Sequence, residues 1–305
     1  MASITVITPC FNEELNLREC VVKVKEALSS HDLEHIFIDN ASLDNSVAEL
    51  IKLKNEFVHL KILQNSQNVG AFSSIQRALS HVSTEWVVPF YAADLQDPPN
   101  VLSEMMSVQE KTDCDSVFGV RATRDEKKWL FAFRRLFYKI LNYASNKSYV
   151  NGTSEFCLIR SENAKKIGLI RDSNPFLRIY LSQLKGKAEY VPYKMEPRKE
   201  GKSSANIFTL FDDALNAFSI ILPSVFSRML VVSIVGSFIG LAVTTYSLLD
   251  IMILPFNLER LLTPGIVILC FSVIIGINSI IGHYAYLIHL QVRNKLEILT
   301  VERKI

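Results

Sequence analysis

The residues best placed to do chemistry are Asp94 and Gln96, in the run Asp94-Leu95-Gln96-Asp97-Pro98-Pro99 that follows the apolar stretch WVVPFY. A carboxylate at the end of a buried strand is well placed to hold a divalent cation. Such a cation would neutralise a nucleotide diphosphate and stabilise it as a leaving group. A lone Asp after a strand is more often a helix cap, and Asp97, just before Pro98, fits that role. A second set of candidates is basic: Arg121, Arg124, Arg134 and Arg135, then Arg198 and Lys202 with Ser203 beside them. Arginine suits phosphate because its planar fork donates two parallel hydrogen bonds. Helical spacing cannot bring all of these to one point, so some are solvated surface or headgroup contacts; Arg134 and Lys128 fit a basic face on anionic lipid equally well. His31-Asp32-Leu33-Glu34-His35 matches the H-x-x-E-H zinc pattern in letters only. That chemistry needs both histidines on one helix face, and His35 opens the strand-like HIFID.

These residues need a scaffold that brings separate stretches of chain to one place. ITVITP reads as a buried strand ended by Pro9, and residues 13–29 have helical apolar spacing with Asn12 as their cap. HIFID is a second strand, followed by the turn-rich NASLDNS and a helix to about Lys54, and HLKIL is a third strand. VGAFSSIQRALSHV reads as a helix and WVVPFY as a fourth strand, after which Pro98 and Pro99 open another helix. DSVFGVR, residues 155–159 and AEYVPY supply further strands. This alternation is the signature of an α/β, doubly wound, Rossmann-like parallel sheet, which binds ligands at the C-terminal ends of its strands. Residues 10–13, 39–44 and 94–97 all fall there.

Mean hydropathy is +0.20, high for a soluble protein, and the excess is local. Residues 229–249 and 261–282 carry no charged side chain, and each run can cross about 30 Å of hydrocarbon as a helix. Two buried core helices would need a larger surrounding domain than the rest of the chain supplies. Ahead of the first run, residues 206–226 space Ile207, Phe208, Leu210, Phe211, Leu215 and Phe218 as an amphipathic helix lying in the interface. The connector 250–260 holds one basic residue. Arg198, Lys199, Lys202 and Arg228 precede the first span, and Arg293, Lys295, Arg303 and Lys304 follow the second. The positive-inside rule then puts the domain 1–205 and the tail 291–305 in the cytoplasm, joined by a two-span hairpin over 227–290. The chain opens directly on a strand, with no signal-peptide pattern ahead of it. Five cysteines without a CxxC pair argue for reduced thiols and against a zinc ribbon. A net charge of +2 makes no case for nucleic acid.

Taken in order, ITVITPCFNEELNL, IDNASLDNS, the NVGAF…RAL helix, ADLQDPP and the late VPY…RKEGKSS resemble the family-2 glycosyltransferases of the GT-A fold. Within them they are similar to the polyprenyl-phosphate branch, which includes dolichyl-phosphate mannose synthases and bactoprenol glucosyltransferases. The resemblance runs from Ile4 to about Ser204 and extends to a two-span C-terminal anchor. It implies a nucleotide-sugar-binding domain with Pro9, Asn12, Glu13, Gly70 and Arg121 at the donor and Asp39 reading the base or ribose. It implies Asp94, the main catalytic group, and Gln96 as ligands of Mg2+ or Mn2+ on the donor diphosphate. Arg124, Arg135, Arg198 and Lys202, with Ser203, fall to the acceptor phosphate, and Arg135 also to catalysis. Glu155 stands where related enzymes carry an Asp in a G-D-F-R pattern proposed as base; a strand-end carboxylate paired with a nearby arginine is the other reading. Two positions depart from the family pattern. Ala92 replaces a carboxylate two residues before Asp94, and Asn40 replaces a second acid after Asp39, which should weaken metal binding.

The resemblance implies an inverting glycosyltransferase that moves a monosaccharide from a UDP- or GDP-sugar to polyprenyl (undecaprenyl) phosphate. The transfer would occur at the cytoplasmic face of the cell membrane, for surface-glycan synthesis or modification. Its rivals are a transferase acting on another lipid or lipid-linked glycan, and a non-catalytic nucleotide-sugar-binding membrane protein, suggested by Ala92 and Asn40. A processive polysaccharide synthase would be expected to carry a QxxRW motif and more spans, and the sequence has neither. A homo-oligomer is left open.

Overall fold

The computed structural model describes residues 2–121, 153–170, 177–182, 184, 186–197, 207–253, 262–293 and 302–304. The chain divides into two compact units: Met1–Lys139 with Lys147–Leu210 and Arg293–Ile305, and Ile140–Asn146 with Phe211–Val292.

The first unit is built on one mixed sheet. β1 (Ser3–Cys10) pairs in parallel with β2 (Asp32–Asp39) and β4 (Trp86–Val88), and β2 pairs in parallel with β3 (Leu60–Asn65). β6 (Thr153–Arg160) runs antiparallel to both β4 and β5 (Ser116–Arg121), and β7 (Ala188–Tyr193) lies parallel to β5. β8 (Glu302–Lys304) adds to the opposite edge, antiparallel to β3 with Lys304 opposite Leu63. The expected all-parallel sheet therefore holds for β1 to β4 and fails at β6 and β8. Apolar patterning has the same period of two in either direction, so it carries no record of strand polarity.

Side-chain alternation builds two layers of core. Ile4 and Val6 of β1, Phe37 of β2 and Leu158 of β6 pack on α1 (Leu17–Ala27), α2 (Ser46–Glu56) and α4 (Asn100–Thr112) through Val21, Leu50 and Leu102. On the other face Ile7, Ile36, Ile38 and Ile159 meet α3 (Ala71–Leu79), α5 (Ser161–Gly168) and α6 (Leu177–Ser182) through Ile75, Ile167 and Leu181. Each such side chain contributes roughly 1.5–3 kcal/mol on full burial. One helix boundary differs from expectation. α1 begins at Leu17 with Asn16 at its N-cap, whereas Asn12 sits in left-handed backbone (φ 56°) and caps nothing. Residues 12–16 are spent on a loop contact described below.

The second unit holds α7 (Ile207–Ile253) and α8 (Leu262–Arg293). The amphipathic helix expected over 206–226 is not separated from the first span by a break; both belong to α7. Val225–Leu249 and Thr263–Ile288 are, by length and composition, able to cross a membrane. The two helices meet through small residues. A Cβ on Gly240 would fall 2.7 Å from the Leu269 backbone nitrogen, so glycine there permits the close approach.

His35, the second histidine of the zinc-like pattern, lies inside β2 and is fully buried, with Nε2 2.9 Å from the Thr8 hydroxyl and its ring 4.3 Å from that of Phe37. Among the described residues no group of three His, Cys, Asp or Glu side chains could hold a metal. Burial, with a smaller push from His59, lowers its pKa to about 3. An unfolded imidazole takes up a proton below about pH 6.5, and the folded one does not until about pH 3. Its contribution to stability is thus complete above pH 6.5 and lost as pH falls, at about 1.4 kcal/mol per unit once the unfolded imidazole is charged. His35→Gln should flatten the acid-side loss of stability between pH 6 and 4, read from urea midpoints by fluorescence of the buried Trp86. Parallel curves for the two proteins would show that His35 does not titrate on unfolding.

Candidate active site

β1, β2 and β4 run in parallel, so the chain leaves all three at one edge of the sheet. It does so through non-glycine residues in left-handed backbone: Asn12 (φ 56°), Ala41 (φ 62°) and Leu95 (φ 57°). Such residues cost on the order of 1 kcal/mol each and persist only where surrounding contacts hold them. The loops after β1 and β2 supply those contacts to each other. The Asn12 and Glu13 amides donate to the hydroxyls of Ser42 and Ser46, both at 3.0 Å. In return the Leu43 amide donates to Asn12 Oδ1 (2.8 Å) and the Asn45 amide to Glu14 Oε2 (2.8 Å). Asp39, fully buried at the end of β2, accepts from the Ser42 amide (3.2 Å), and Glu13 accepts from the Asn16 side chain (2.5 Å). Pro9 is half-buried near the end of β1. Pro9, Asn12, Glu13 and Asp39 therefore share one edge, with Asn12 tying the two loops together and Asp39 closing the second.

The third loop carries the acidic motif. Past the last ladder residue of β4, the Tyr91 amide donates to the Ile7 carbonyl (2.9 Å) and keeps the chain against β1. Burial then alternates. Ala93, Leu95 and Asp97 are buried, while Asp94 and Gln96 are half-buried. Asp94 Oδ1 accepts the Gln96 amide at 3.2 Å, closing a turn about Leu95. One carboxylate and one amide on such a turn do not surround a cation. They fit one that takes its remaining oxygen ligands from a bound diphosphate.

Asp97 is not the helix cap it resembles, since Pro99 occupies the N-cap of α4 and no side chain caps it. Its carboxylate accepts from the Tyr193 hydroxyl at 2.5 Å, Tyr193 accepts from Arg121 Nε at 3.1 Å, and Arg121 Nη2 stands 3.4 Å from Asp97. Burial pushes the Asp97 carboxyl above the usual range, opposed by Arg121 and the Tyr193 hydroxyl. Arg121, expected at the donor, thus anchors the acidic loop to β5 and β7. The Glu196 amide, just beyond β7, donates to the Gln96 carbonyl at 2.9 Å and ties the same turn from another side.

A network of asparagine side chains sits where β2 and β3 end. Asn40 Oδ1 accepts from the Val69 amide (2.9 Å) and from Asn65 Nδ2 (3.2 Å), and its Nδ2 donates to Asn68 Oδ1 (2.7 Å). Asn68 Oδ1 also accepts the Gly70 amide (3.0 Å), and Asn65 bonds Ser74 and Arg77 of α3. Gly70 precedes α3 with φ +85°, and an added Cβ would meet nothing within 4 Å. The glycine answers to backbone conformation, and its outer side is open.

Glu155 is buried in β6, and Arg178 Nη2 of α6 lies 3.0 Å from both of its carboxylate oxygens. Arg178 escaped the sequence reading, as did Tyr193, Asn65 and Asn68; an arginine inside the apolar run NPFLRIYL was the available signal. Arg124, Arg134, Arg135, Arg198, Lys202 and Ser203 lie outside the described residues.

Asn40 is a test case for the missing second acid. An Asp there would face Asn68 Oδ1 with an acceptor and bury a charge. Asn40→Asp should lower stability by about 1–3 kcal/mol without tightening Mn2+ binding. Tighter Mn2+ with an unchanged melting temperature would mean that position 40 is a vacated metal ligand.

Comparison with known proteins places the chain in a family. The model of the family described as Glycosyl transferase family 2 matches residues 5–168. An uncharacterized glycosyltransferase of Synechocystis is 24% identical over 266 residues, covering 86% of this chain and 80% of that protein. The SfII prophage-derived bactoprenol glucosyl transferase of Shigella flexneri is 26% identical over 304 residues, covering 96% and 95%. Among solved structures, the chain resembles a mannosyltransferase from Pyrobaculum calidifontis in complex with GDP-Man and Mn2+ (16% identity, TM-score 0.46, 97% of this chain and 88% of that one). It also resembles glucosyl-3-phosphoglycerate synthase from Mycobacterium tuberculosis in complex with Mn2+, UDP-glucose and phosphoglyceric acid (16% identity, TM-score 0.48, 73% and 79%). With more than half of its length matched, this chain belongs to glycosyl transferase family 2 and is a glycosyltransferase.

Proposed function

We propose that the protein transfers a monosaccharide, with inversion, from a UDP- or GDP-sugar to polyprenyl phosphate at the cytoplasmic face of the membrane. The observation that carries this reading is the Asp94–Gln96 turn, a donor set suited to a divalent cation shared with a nucleoside diphosphate. Mg2+ or Mn2+ bound there with the diphosphate would neutralise charge on the leaving group. The chain's own residues do the rest. Arg121 and Tyr193 hold Asp97, and with it the turn, in one geometry. The Asn40 network holds the segment before α3, where the open side of Gly70 leaves room for a donor to approach the backbone. An acceptor phosphate oxygen attacks the anomeric carbon from the side opposite the diphosphate. The new bond joins that oxygen to the carbon, and the electron pair of the broken bond leaves on the nucleoside diphosphate. Arg124, Arg135, Arg198 and Lys202, with Ser203, remain the basic and hydroxyl groups we assign to the acceptor phosphate.

Two observations support a membrane-embedded acceptor. Likeness to the Shigella flexneri bactoprenol glucosyl transferase runs through 96% of this chain and so takes in the two apolar helices. The tail that follows α8 returns to the catalytic sheet as β8. That pairing puts residues 302–304 in the same unit as the catalytic sheet, which agrees with the sequence expectation that domain and tail share one compartment.

The test is transfer by the purified full-length protein with Mn2+, undecaprenyl phosphate and labelled UDP- and GDP-sugars, scored as label in the organic phase. The wild type should give a lipid-phosphate product with at least one donor. Asp94→Asn should cut the rate by about 10²–10³, the usual loss when one transition-state electrostatic partner is removed. Transfer to a lipid alcohol but not to the lipid phosphate would refute the acceptor, and near-normal turnover of Asp94→Asn at saturating Mn2+ would refute the turn.

A further inference from the structure

We propose that Arg178 is a phosphate-binding residue of the acceptor site and that Glu155 is the positioning residue that aims it, not a general base. The inference rests on the phosphate-acceptor reading above and deepens it.

Position comes first. β6 is antiparallel to β4 and β5, with Ile159 opposite Val87 and Thr153 opposite Val120. Its first residues therefore reach the edge at which β4 and β5 end, where the Asp94 turn stands. The rings of Phe156 and Tyr91 lie 5.6 Å apart and join the start of β6 to the chain leading into that turn. α6 is fastened beneath by Leu177 and Leu181, which are 3% and 2% exposed, and this places Arg178 beside Glu155.

The pair is asymmetric in a way that a base would not be. The Glu155 side chain is 9% exposed and that of Arg178 is 28% exposed. The carboxylate is the inner partner and the guanidinium the outer one, so an arriving ligand meets N–H donors before it meets an acid. Arg121 adds a weaker electrostatic attraction to Glu155 beside the direct contact with Arg178. Such a carboxylate keeps an arginine oriented, and a guanidinium has five N–H groups in a fixed fork.

The acceptor's chemistry agrees. A sugar hydroxyl needs a base to take its proton in the transition state. A phosphate monoester, with a second pKa of about 6, arrives mostly as a dianion at pH 7. It has little proton to give up and a double negative charge to be held, so a cation is worth more to it than a base.

Initial rates with the full-length protein, varying undecaprenyl phosphate and sugar donor independently, test this. Arg178→Ala should raise KM for the lipid phosphate at least about tenfold, the value of one charged hydrogen bond, with donor KM little changed. Arg178→Lys should recover part of the loss. Glu155→Gln should move the same KM in the same direction by less, and Arg178→Ala/Glu155→Gln should be no worse than Arg178→Ala. Raising pH from 7 to 9 should not rescue Glu155→Gln. A Glu155→Gln protein with normal lipid KM and a kcat that collapses with a new pH dependence would make Glu155 the base and overturn the proposal. Lower melting temperatures with no change in lipid KM would make the pair merely structural and overturn it too. A binding arm works without turnover: farnesyl phosphate should bind better than farnesol, and Arg178→Ala should erase the difference. If the wild type forms no lipid-phosphate product, the acceptor reading fails; if phosphate preference survives Arg178→Ala, only Arg178 fails.

Discussion

β1 pairs with β2 on one side and β4 on the other, both in parallel and in fixed register, Cys10 opposite Asp39 and Val6 opposite Val88. Everything functional in the catalytic unit depends on that pairing. Parallel neighbours must end at the same edge, so three loops distant in sequence emerge together. A slip of one residue would exchange the two faces of a strand and send each side chain into the wrong core layer. The two apolar layers, with Ile4 and Val6 on one side and Ile7 on the other, hold the register. Left-handed backbone at Asn12, Ala41 and Leu95 then turns each chain sharply where it leaves the sheet. The bonds between the first two loops, and the anchoring of the third by Asp97, keep those turns from relaxing.

Burial sorts the polar residues of this edge into supports and reactive groups. Moving a charge out of water costs several kcal/mol unless a partner meets it, so the buried members come paired. Asp97 has Arg121 and Tyr193, and Glu155 has Arg178. Asn40, Asn65 and Asn68 satisfy one another and the backbone ahead of α3 without a buried acid, and Arg77 donates to Asn65. Asp94 and Gln96, half-buried on the same turn, are the members we assign to the donor's cation. In DLQDPP, two acids three residues apart therefore sit in different surroundings, and the difference comes from the alternation of burial about Leu95.

Much of the scaffold was legible in the sequence. ITVITP, HIFID and HLKIL are short apolar runs bounded by turn residues, and the motif-bearing stretches after them fall at the site edge. The rest depends on contacts made far along the chain. Nothing local tells that α1 starts after Asn16 and not after Asn12; Asn12 is engaged with Leu43, 31 residues away, and the Asn16 side chain donates to Glu13 and caps nothing. Asn40 read as an acid lost from a metal site because its partners, at positions 65 to 69, lie on another strand and loop. The antiparallel sense of β6 and the return of the tail as β8 leave no periodic trace, since a strand's side chains alternate whichever way it runs. Arg178 was hidden among apolar neighbours, and only the fold brings it to Glu155.

The central claim is that Asp94 and Gln96 hold a cation jointly with the donor diphosphate, with no complete metal site in the protein alone. Mn2+ binding followed by electron paramagnetic resonance, with and without UDP or GDP, addresses it directly. The account predicts weak Mn2+ binding to the protein alone. One of the two nucleotides should tighten it at least about tenfold, or 1.4 kcal/mol, and Asp94→Asn should lose that gain. Tight Mn2+ binding without nucleotide, or a nucleotide-dependent gain that survives Asp94→Asn, would contradict it.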